Sequence, residues 1–289
     1  MRTRELLRYV PGVNRVVRAL ERRDRESRLL TDECRRLAAE NFRLKSQQPR
    51  EPRALAPNEE PPLPPDVLRL MVAGTDDATW FRDAGKRGAD ALASLLARAG
   101  MPLEACSRVL DFGCGCGRVI RHLRHLSAEL HGCDTNPVAV DWCADHLPFA
   151  SFGVNELDAP LEYGCETFDA VYAFSVFTHL PATLQAHWMS ELHRVLRPGG
   201  ALVLSLHGDA LLPKMSRTER AAYRRGEFVV RVGEMPGTNH CAAFHPPAFV
   251  RGAFARGFEV VLHVLEGATG NPPQDAWVLR KCSRGPVAP

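Results

Sequence analysis

Asp111 and Asp134 stand 23 residues apart, and Gly113-Cys-Gly-Cys-Gly117 follows the first of them. Alternating glycines let a backbone turn sharply and approach a ligand with no Cβ in the way. A carboxylate just before such a loop lies where open α/β sheets bind ligands, and one at the end of the next strand accepts hydrogen bonds from a ribose diol. Histidines form the second set. A neutral imidazole takes a proton from a hydroxyl near neutral pH. His207 is the first choice of base and His179 the second. His240 and His245 flank an apolar patch and are candidates for substrate contact. Glu266 could steer an amine or a hydroxyl. No carboxylate–histidine spacing suits a metal, and the Cys114–Cys116 gap is too short for a zinc knuckle and lacks a partner pair. A site without metal is expected.

These residues need strands and helices to hold them. Val109 and Leu110 end an apolar run that reads as a strand. The amphipathic run Arg118 to Leu126 predicts a helix whose first N–H groups face the loop. Glu129–Asp134 predicts the second strand, and Asn136-Pro137 caps the next helix. Phe149–Val154 predicts the third strand, with Asn155 and Glu156 at its exit. Phe168–Phe174 predicts the fourth, with Ser175 to His179 over the crevice. A helix from about Ala182 to Leu196 ends in Arg197-Pro-Gly-Gly200. Ala201–Leu206 is the fifth strand, and His207 leaves it. Residues 209–245 break the alternation. They predict a polar helix over Met215–Arg225, a weak strand over Glu227–Val232 and a loop over Gly237–Phe244, together a substrate cap. A helix follows from Pro246 through Arg256. Phe258–Glu266 and Gln274–Lys281 are joined too closely for a crossover helix, so they form an antiparallel hairpin. Ahead of the first strand, Asp66 caps a short helix over Val67–Val72. A helix then runs from Trp80 to Ala99.

Taken together, Val109-Leu-Asp-Phe-Gly-Cys-Gly-Cys-Gly117, Gly132-Cys-Asp134, Phe168-Asp-Ala-Val-Tyr172, Thr178-His-Leu180 and Leu196-Arg-Pro-Gly-Gly200 resemble the motifs of the class I S-adenosylmethionine (SAM)-dependent methyltransferases. The resemblance spans most of residues 80–282. It implies an α/β three-layer sandwich with a seven-stranded, mostly parallel sheet in the order 3-2-1-4-5-7-6 and strand 7 antiparallel. It also implies SAM as cofactor and S-adenosylhomocysteine as product. Cofactor contacts then fall to Asp111, Gly113, Cys114, Gly115, Gly117, Arg118, Asp134, Thr135, Asn155, Glu156 and Phe174. Asn155 stands where the family usually has an aspartate toward the adenine. Leading helices in the family fold over the cofactor, which makes Trp80 a candidate contact. A nicotinamide-dependent enzyme would space its glycines as G-x-G-x-x-G; this loop does not. A small-molecule acceptor, a sugar or natural-product intermediate, is the leading expectation, with oxygen slightly favoured. A peptide or protein acceptor comes second and a non-catalytic interaction protein third.

The formal net charge of +3 is unevenly placed, with 14 Lys/Arg against 7 Asp/Glu in residues 1–50. The remainder is slightly acidic, which argues against nucleic acid. Residues 13–45 predict one long charged helix. A heptad frame places Leu30, Leu37 and Leu44 at d and Asn41 at a, consistent with a lone helix or a homodimeric coiled coil. Ser46–Asp66, with seven prolines, reads as a stiff linker, and the domain begins at residue 67. No stretch is long and apolar enough to span a membrane. The N-terminus lacks a secretory apolar region, and the odd cysteine count fits a reducing, cytoplasmic setting.

Overall fold

The computed structural model describes Arg22 and residues 59–231, 241–270 and 272–282. The predicted long N-terminal helix, its coiled-coil seam and His240 lie outside the described residues. The chain divides into two units, Met1–Glu51 and Pro52–Pro289, and the second holds everything below.

Short apolar runs form the sheet. They are β1 (Arg108–Phe112), β2 (Glu129–Asp134), β3 (Ala150–Val154), β4 (Phe168–Ala173) and β5 (Leu196–Leu206). Strands β6 (Val229–Arg231) and β7 (Ala242–Phe244) pair with each other in a separate two-stranded antiparallel sheet. Strands β8 (Phe258–Val264) and β9 (Asp275–Lys281) complete the main sheet, whose order is β3-β2-β1-β4-β5-β9-β8. Counting main-sheet strands alone, this is the expected 3-2-1-4-5-7-6, with β9 antiparallel to both neighbours. Such near-continuous apolar strands need cover on both faces. Helices α2 (Ala78–Arg98) and α3 (Pro137–His146) cover one face through Leu92, Leu95, Leu96 and Trp142. Helix α4 (Ala182–Val195) and the turn Val250–Phe254 cover the other through Trp188, Leu192, Val195 and Phe254.

Local chemistry sets the ends. The Asp77 side chain caps α2 by accepting from Trp80 N–H, and Asn136 caps α3 with Pro137 behind it. Asp169 opens β4 by accepting from the N–H groups of Ser107 (2.7 Å) and Arg108 (2.8 Å) and from Arg197 (2.6 Å). Helix α5 (Arg217–Arg224) starts with a capping box between Ser216 and Glu219.

Five expectations change. The helix predicted over 118–126 is only a 3₁₀ turn, Ile120–His122. Gly117 carries φ of 74°, and Arg121 and Arg124 reach back to the carbonyls of Pro61, Pro62 and Glu59. Those contacts also hold the end of the proline stretch against the domain, where packing was not expected. Asp66 is the first residue of α1 (Asp66–Ala73), not its cap. The Arg197-Pro-Gly-Gly200 segment belongs to β5. Finally, part of the expected loop 237–244 is β7, because β6, earlier in the chain, supplies its partner strand.

Candidate functional site

The glycine loop leaves β1 with φ of 78°, 53° and 74° at Gly113, Gly115 and Gly117, a region that disfavours side chains. It folds back on β2: Gly113 and Cys114 donate N–H to Cys133 O at 2.8 and 3.0 Å. The Asp134 carboxylate accepts from Gly115 N–H (2.8 Å, Oδ2) and Asn136 N–H (2.9 Å, Oδ1). Burial raises its pKa, while these N–H groups and that of Thr135 pull it down. A carboxylate offers about four lone-pair positions, so with three N–H groups on it about one remains for a ribose hydroxyl. Asn155 N–H bonds Asp134 O at 3.1 Å, and the Asn155 amide nitrogen donates to Glu156 O at 2.9 Å. Thr135 and Glu156 are exposed beside them. The exits of β2 and β3 thus bring Asp134, Thr135, Asn155 and Glu156 together.

Asp111 faces a different environment. It is buried on β1, in register with Tyr172 on β4. Desolvation pushes its carboxyl up to about 7, against the pull of the neighbouring Tyr172 hydroxyl and the Arg118 guanidinium. The Tyr172 hydroxyl is itself buried, with the Asp111 carboxyl as its neighbour. Arg118 donates to Gly270 O at 2.9 Å and lies 5.7 Å from the Trp80 ring centre. Phe174 is buried at the exit of β4, its ring 5.6 Å from that of Tyr172. Helix α2 crosses closely because it carries glycine: a Cβ at Gly85 would stand 2.1 Å from Arg118 O. Over the loop, Val72 of α1 and Val176 occupy the space where Cβ atoms of Gly115 and Gly113 would point. The glycines therefore make room for a leading helix as well as for a turn. Cys114 is buried, with its thiol pKa raised well above normal beside Cys143.

The other wall is made by the exits of β4 and β5. Ser175 holds φ of 60°, a strained value for serine. Its N–H bonds Ser205 Oγ (2.7 Å), and both hydroxyls donate to Gln274 Oε1, at 3.0 and 2.6 Å. His207 leaves β5 with Nδ1 at 3.1 Å from Ala243 O, and His179 has Nδ1 at 2.9 Å from Cys241 O. A carbonyl only accepts, so both rings carry the proton on Nδ1 and present Nε2 as a lone pair. Burial, then the neighbouring His179, lowers His207 to about 4; burial lowers His179 against the pull of the Cys241 carbonyl. His245 is fully buried among Phe228, Phe249 and Phe254, with Nε2 at 2.9 Å from Gln185 Oε1. Burial lowers it to about 3. It is enclosed within the fold and does not open onto the crevice. Glu266 is exposed in the β8–β9 turn, its N–H bonded to the buried Asp275 at 3.1 Å. Asp275 also holds His263 Nε2 at 2.9 Å, and a Cβ at Gly208 would stand 2.2 Å from it.

Sequence reasoning missed the Ser175–Ser205–Gln274 set, Gln185 and Asp275. Of these, only Asp275 carried a signal, as a carboxylate opening an apolar strand. Among the described residues no group of three or more His, Cys, Asp or Glu could hold a metal ion. No described helix is long and apolar enough to cross a membrane.

The residues fit SAM. A desolvated carboxyl beside a buried hydroxyl suits an ammonium and carboxylate, and the remaining acceptor capacity of Asp134 suits a ribose hydroxyl. Residues 109–200 match the family model described as a methyltransferase domain. Over 160 residues the chain is 33% identical to trans-aconitate 2-methyltransferase of Methylobacterium radiotolerans, covering 54% of this chain and 57% of that one. It is 26% identical over 182 residues to the ubiquinone biosynthesis O-methyltransferase of Rhodopseudomonas palustris, covering 60% and 65%. It is 33% identical over 143 residues to 27-O-demethylrifamycin SV methyltransferase of Amycolatopsis mediterranei, covering 47% and 49%. The chain thus spans about half to two thirds of these relatives. The crystal structure of the PH0226 protein of Pyrococcus horikoshii superposes with a TM-score of 0.50 at 18% identity, covering 66% of this chain and 88% of that one.

Proposed function

We propose, from the class I SAM-dependent methyltransferase fold that the chain carries, that it moves a methyl group from SAM to a small-molecule acceptor, with oxygen favoured as the receiving atom. The observation that supports this best is the pairing of two unlike carboxyls on one crevice. Asp111 is buried and poised for a cation, and Asp134 is wired to the glycine loop with a lone pair to spare.

SAM supplies an electrophilic methyl on a sulfonium, so the protein's part is position, electrostatics and a base. Asp111 and Tyr172 hold the amino-acid end, Asp134 the ribose, and Asn155 the adenine edge. Val72 and Trp80 close from above and exclude water. Residues 209–245 form the substrate cap of a domain beginning at residue 67. His207, with Nε2 bare, takes the acceptor's proton, and His179 is the alternative. Two relatives are named for small acceptors, trans-aconitate and 27-O-demethylrifamycin SV, which favours a small molecule over a peptide.

The test is binding and then transfer. Calorimetry with SAM and S-adenosylhomocysteine, without added metal, is expected to give one site. Incubation with methyl-labelled SAM and fractionated extract from the source is expected to label a small metabolite. Label in protein would replace this reading with a peptide acceptor. Binding with no label in any fraction would leave a cofactor-binding interaction protein.

A further inference from the structure

One residue of the crevice wall is held in a backbone conformation that its own type disfavours. Ser175 follows β4 with φ of 60°, in the left-handed region that residues other than glycine seldom enter. Such a conformation persists where the surroundings hold it, and here the hold comes from β5 and from the start of β9. Ser175 N–H donates to Ser205 Oγ at 2.7 Å, and the hydroxyls of Ser175 and Ser205 donate to Gln274 Oε1 at 3.0 and 2.6 Å. Because Ser205 Oγ accepts the Ser175 N–H, its own hydrogen turns to Gln274. A length of 2.6 Å belongs to an O–H···O bond and is short for an N–H···O bond. The amide is therefore oriented with its oxygen between the two hydroxyls. Ser205 and Gln274 are both buried, so removing that oxygen would leave the Ser205 hydroxyl without this acceptor and away from water.

The kink lies on the cofactor side of the crevice. Side chains alternate between the two faces of a sheet. Val109, Tyr172, Val203 and Ala276 pack on one face. Asp111, Ser205 and Gln274 stand two residues from Val109, Val203 and Ala276, so they continue the same face. Phe174, just before the kink, lies with its ring 5.6 Å from that of Tyr172, and Tyr172 is in register with Asp111. Val176, just after the kink, fills the space where a Cβ on Gly113 would stand. The two neighbours of Ser175 are thus set against two parts of the same site, and the Phe177–His179 turn starts from the second. Relaxation of Ser175 to a negative φ would swing Val176 relative to Phe174 and undo that arrangement.

We propose, on the methyltransferase reading of the site, that Gln274 is a positioning residue for the cofactor. It stands 99 residues along the chain from Ser175, fixes that residue in its left-handed turn, and so keeps Phe174 and Val176 placed around the glycine loop before SAM arrives. It acts through Ser175 and needs no bond to the cofactor. Losing it lowers affinity by lowering the fraction of molecules whose wall is already formed.

The test measures S-adenosylhomocysteine binding to the full chain by calorimetry. Gln274→Met keeps the side-chain length and removes the acceptor oxygen. It is expected to weaken binding about five- to a hundredfold, since a serine must then find the left-handed conformation with less help. Ser175→Gly in the Gln274→Met background should restore the affinity, because glycine takes that φ unaided. A second pair leaves Gln274 in place. Ser175→Ala and Ser175→Gly both remove the hydroxyl, but only alanine resists the conformation, so alanine should bind about fivefold or more weakly and glycine close to wild type. This pair decides the matter if Gln274→Met does not fold in a thermal scan. Wild-type affinity in Gln274→Met, no rescue by Ser175→Gly, or equal affinity in Ser175→Ala and Ser175→Gly would overturn the proposal. If the wild-type protein does not bind S-adenosylhomocysteine, the methyltransferase reading itself falls. If it binds and the variants fail to separate in these ways, only the role of Gln274 falls.

Discussion

Replacing Asp111 by asparagine should make the protein more stable and less able to bind SAM. An aspartate in water titrates near 3.9, whereas burial takes Asp111 to about 7 in the folded chain. A raised folded pKa means full stability below the unfolded value and a loss as pH rises to the folded one. At about 1.36 kcal/mol for each pH unit, the loss is about 1.5 kcal/mol at pH 5 and about 4 kcal/mol above pH 7. Asparagine carries no charge at any of these values, and the attraction of Arg118 is already contained in the value near 7. Urea unfolding of the cofactor-free protein should therefore show Asp111→Asn gaining on the wild type between pH 4 and 7 and holding a constant lead from 7 to 9. In thermal scans the lead at pH 8 is of order 10 °C, from roughly 2–4 °C per kcal/mol. The same variant should lose about tenfold to over a hundredfold in SAM affinity, as a charge-assisted bond is removed. A gap that does not change with pH, or a variant less stable than wild type at pH 8, would refute the idea that desolvation dominates at Asp111.

Asp134→Ala should weaken SAM binding about tenfold to over a hundredfold by calorimetry. His207→Ala should cut turnover by about 10²–10⁴-fold if the acceptor is a hydroxyl and leave SAM affinity nearly unchanged. Because His207 is lowered to about 4, the acid limb of the rate profile should fall near that value and not near 6.5. Gly85→Ala places a methyl 2.1 Å from Arg118 O, so it should lower the melting temperature despite alanine's better helix propensity. Removing residues 1–50 should convert a dimer to a monomer in light scattering if the Leu30–Leu44 seam is an interface.

The sheet was readable because each strand is a short apolar run and its exit carries a polar residue of a telling type. The sharp turn at Asp111–Gly117 was readable because glycine alone tolerates those angles. What was not readable depends on partners distant in sequence. The run from Arg118 has a helical pattern, yet Arg121 and Arg124 are used to hold residues 59–62. Nothing near Ser175 announces its positive φ, which exists because Ser205 and Gln274 hold it. His245 looked like a substrate contact by its neighbours in sequence, but Gln185 and three phenylalanines enclose it. Gln185 is fixed in turn by donating to the carbonyls of Phe177 and Leu180, at 3.0 and 2.8 Å.

The carbonyls that set the tautomers of His179 and His207 belong to β7 and the residue before it, not to the main sheet. Lifting that strand would free both Nδ1 atoms, and either nitrogen of each ring could then carry the proton. The correct lone pairs exist in full only while the strand is seated, helped by the bond from His245 N–H to His207 O at 2.9 Å. The segment that covers the two rings therefore also decides which of their nitrogens is bare.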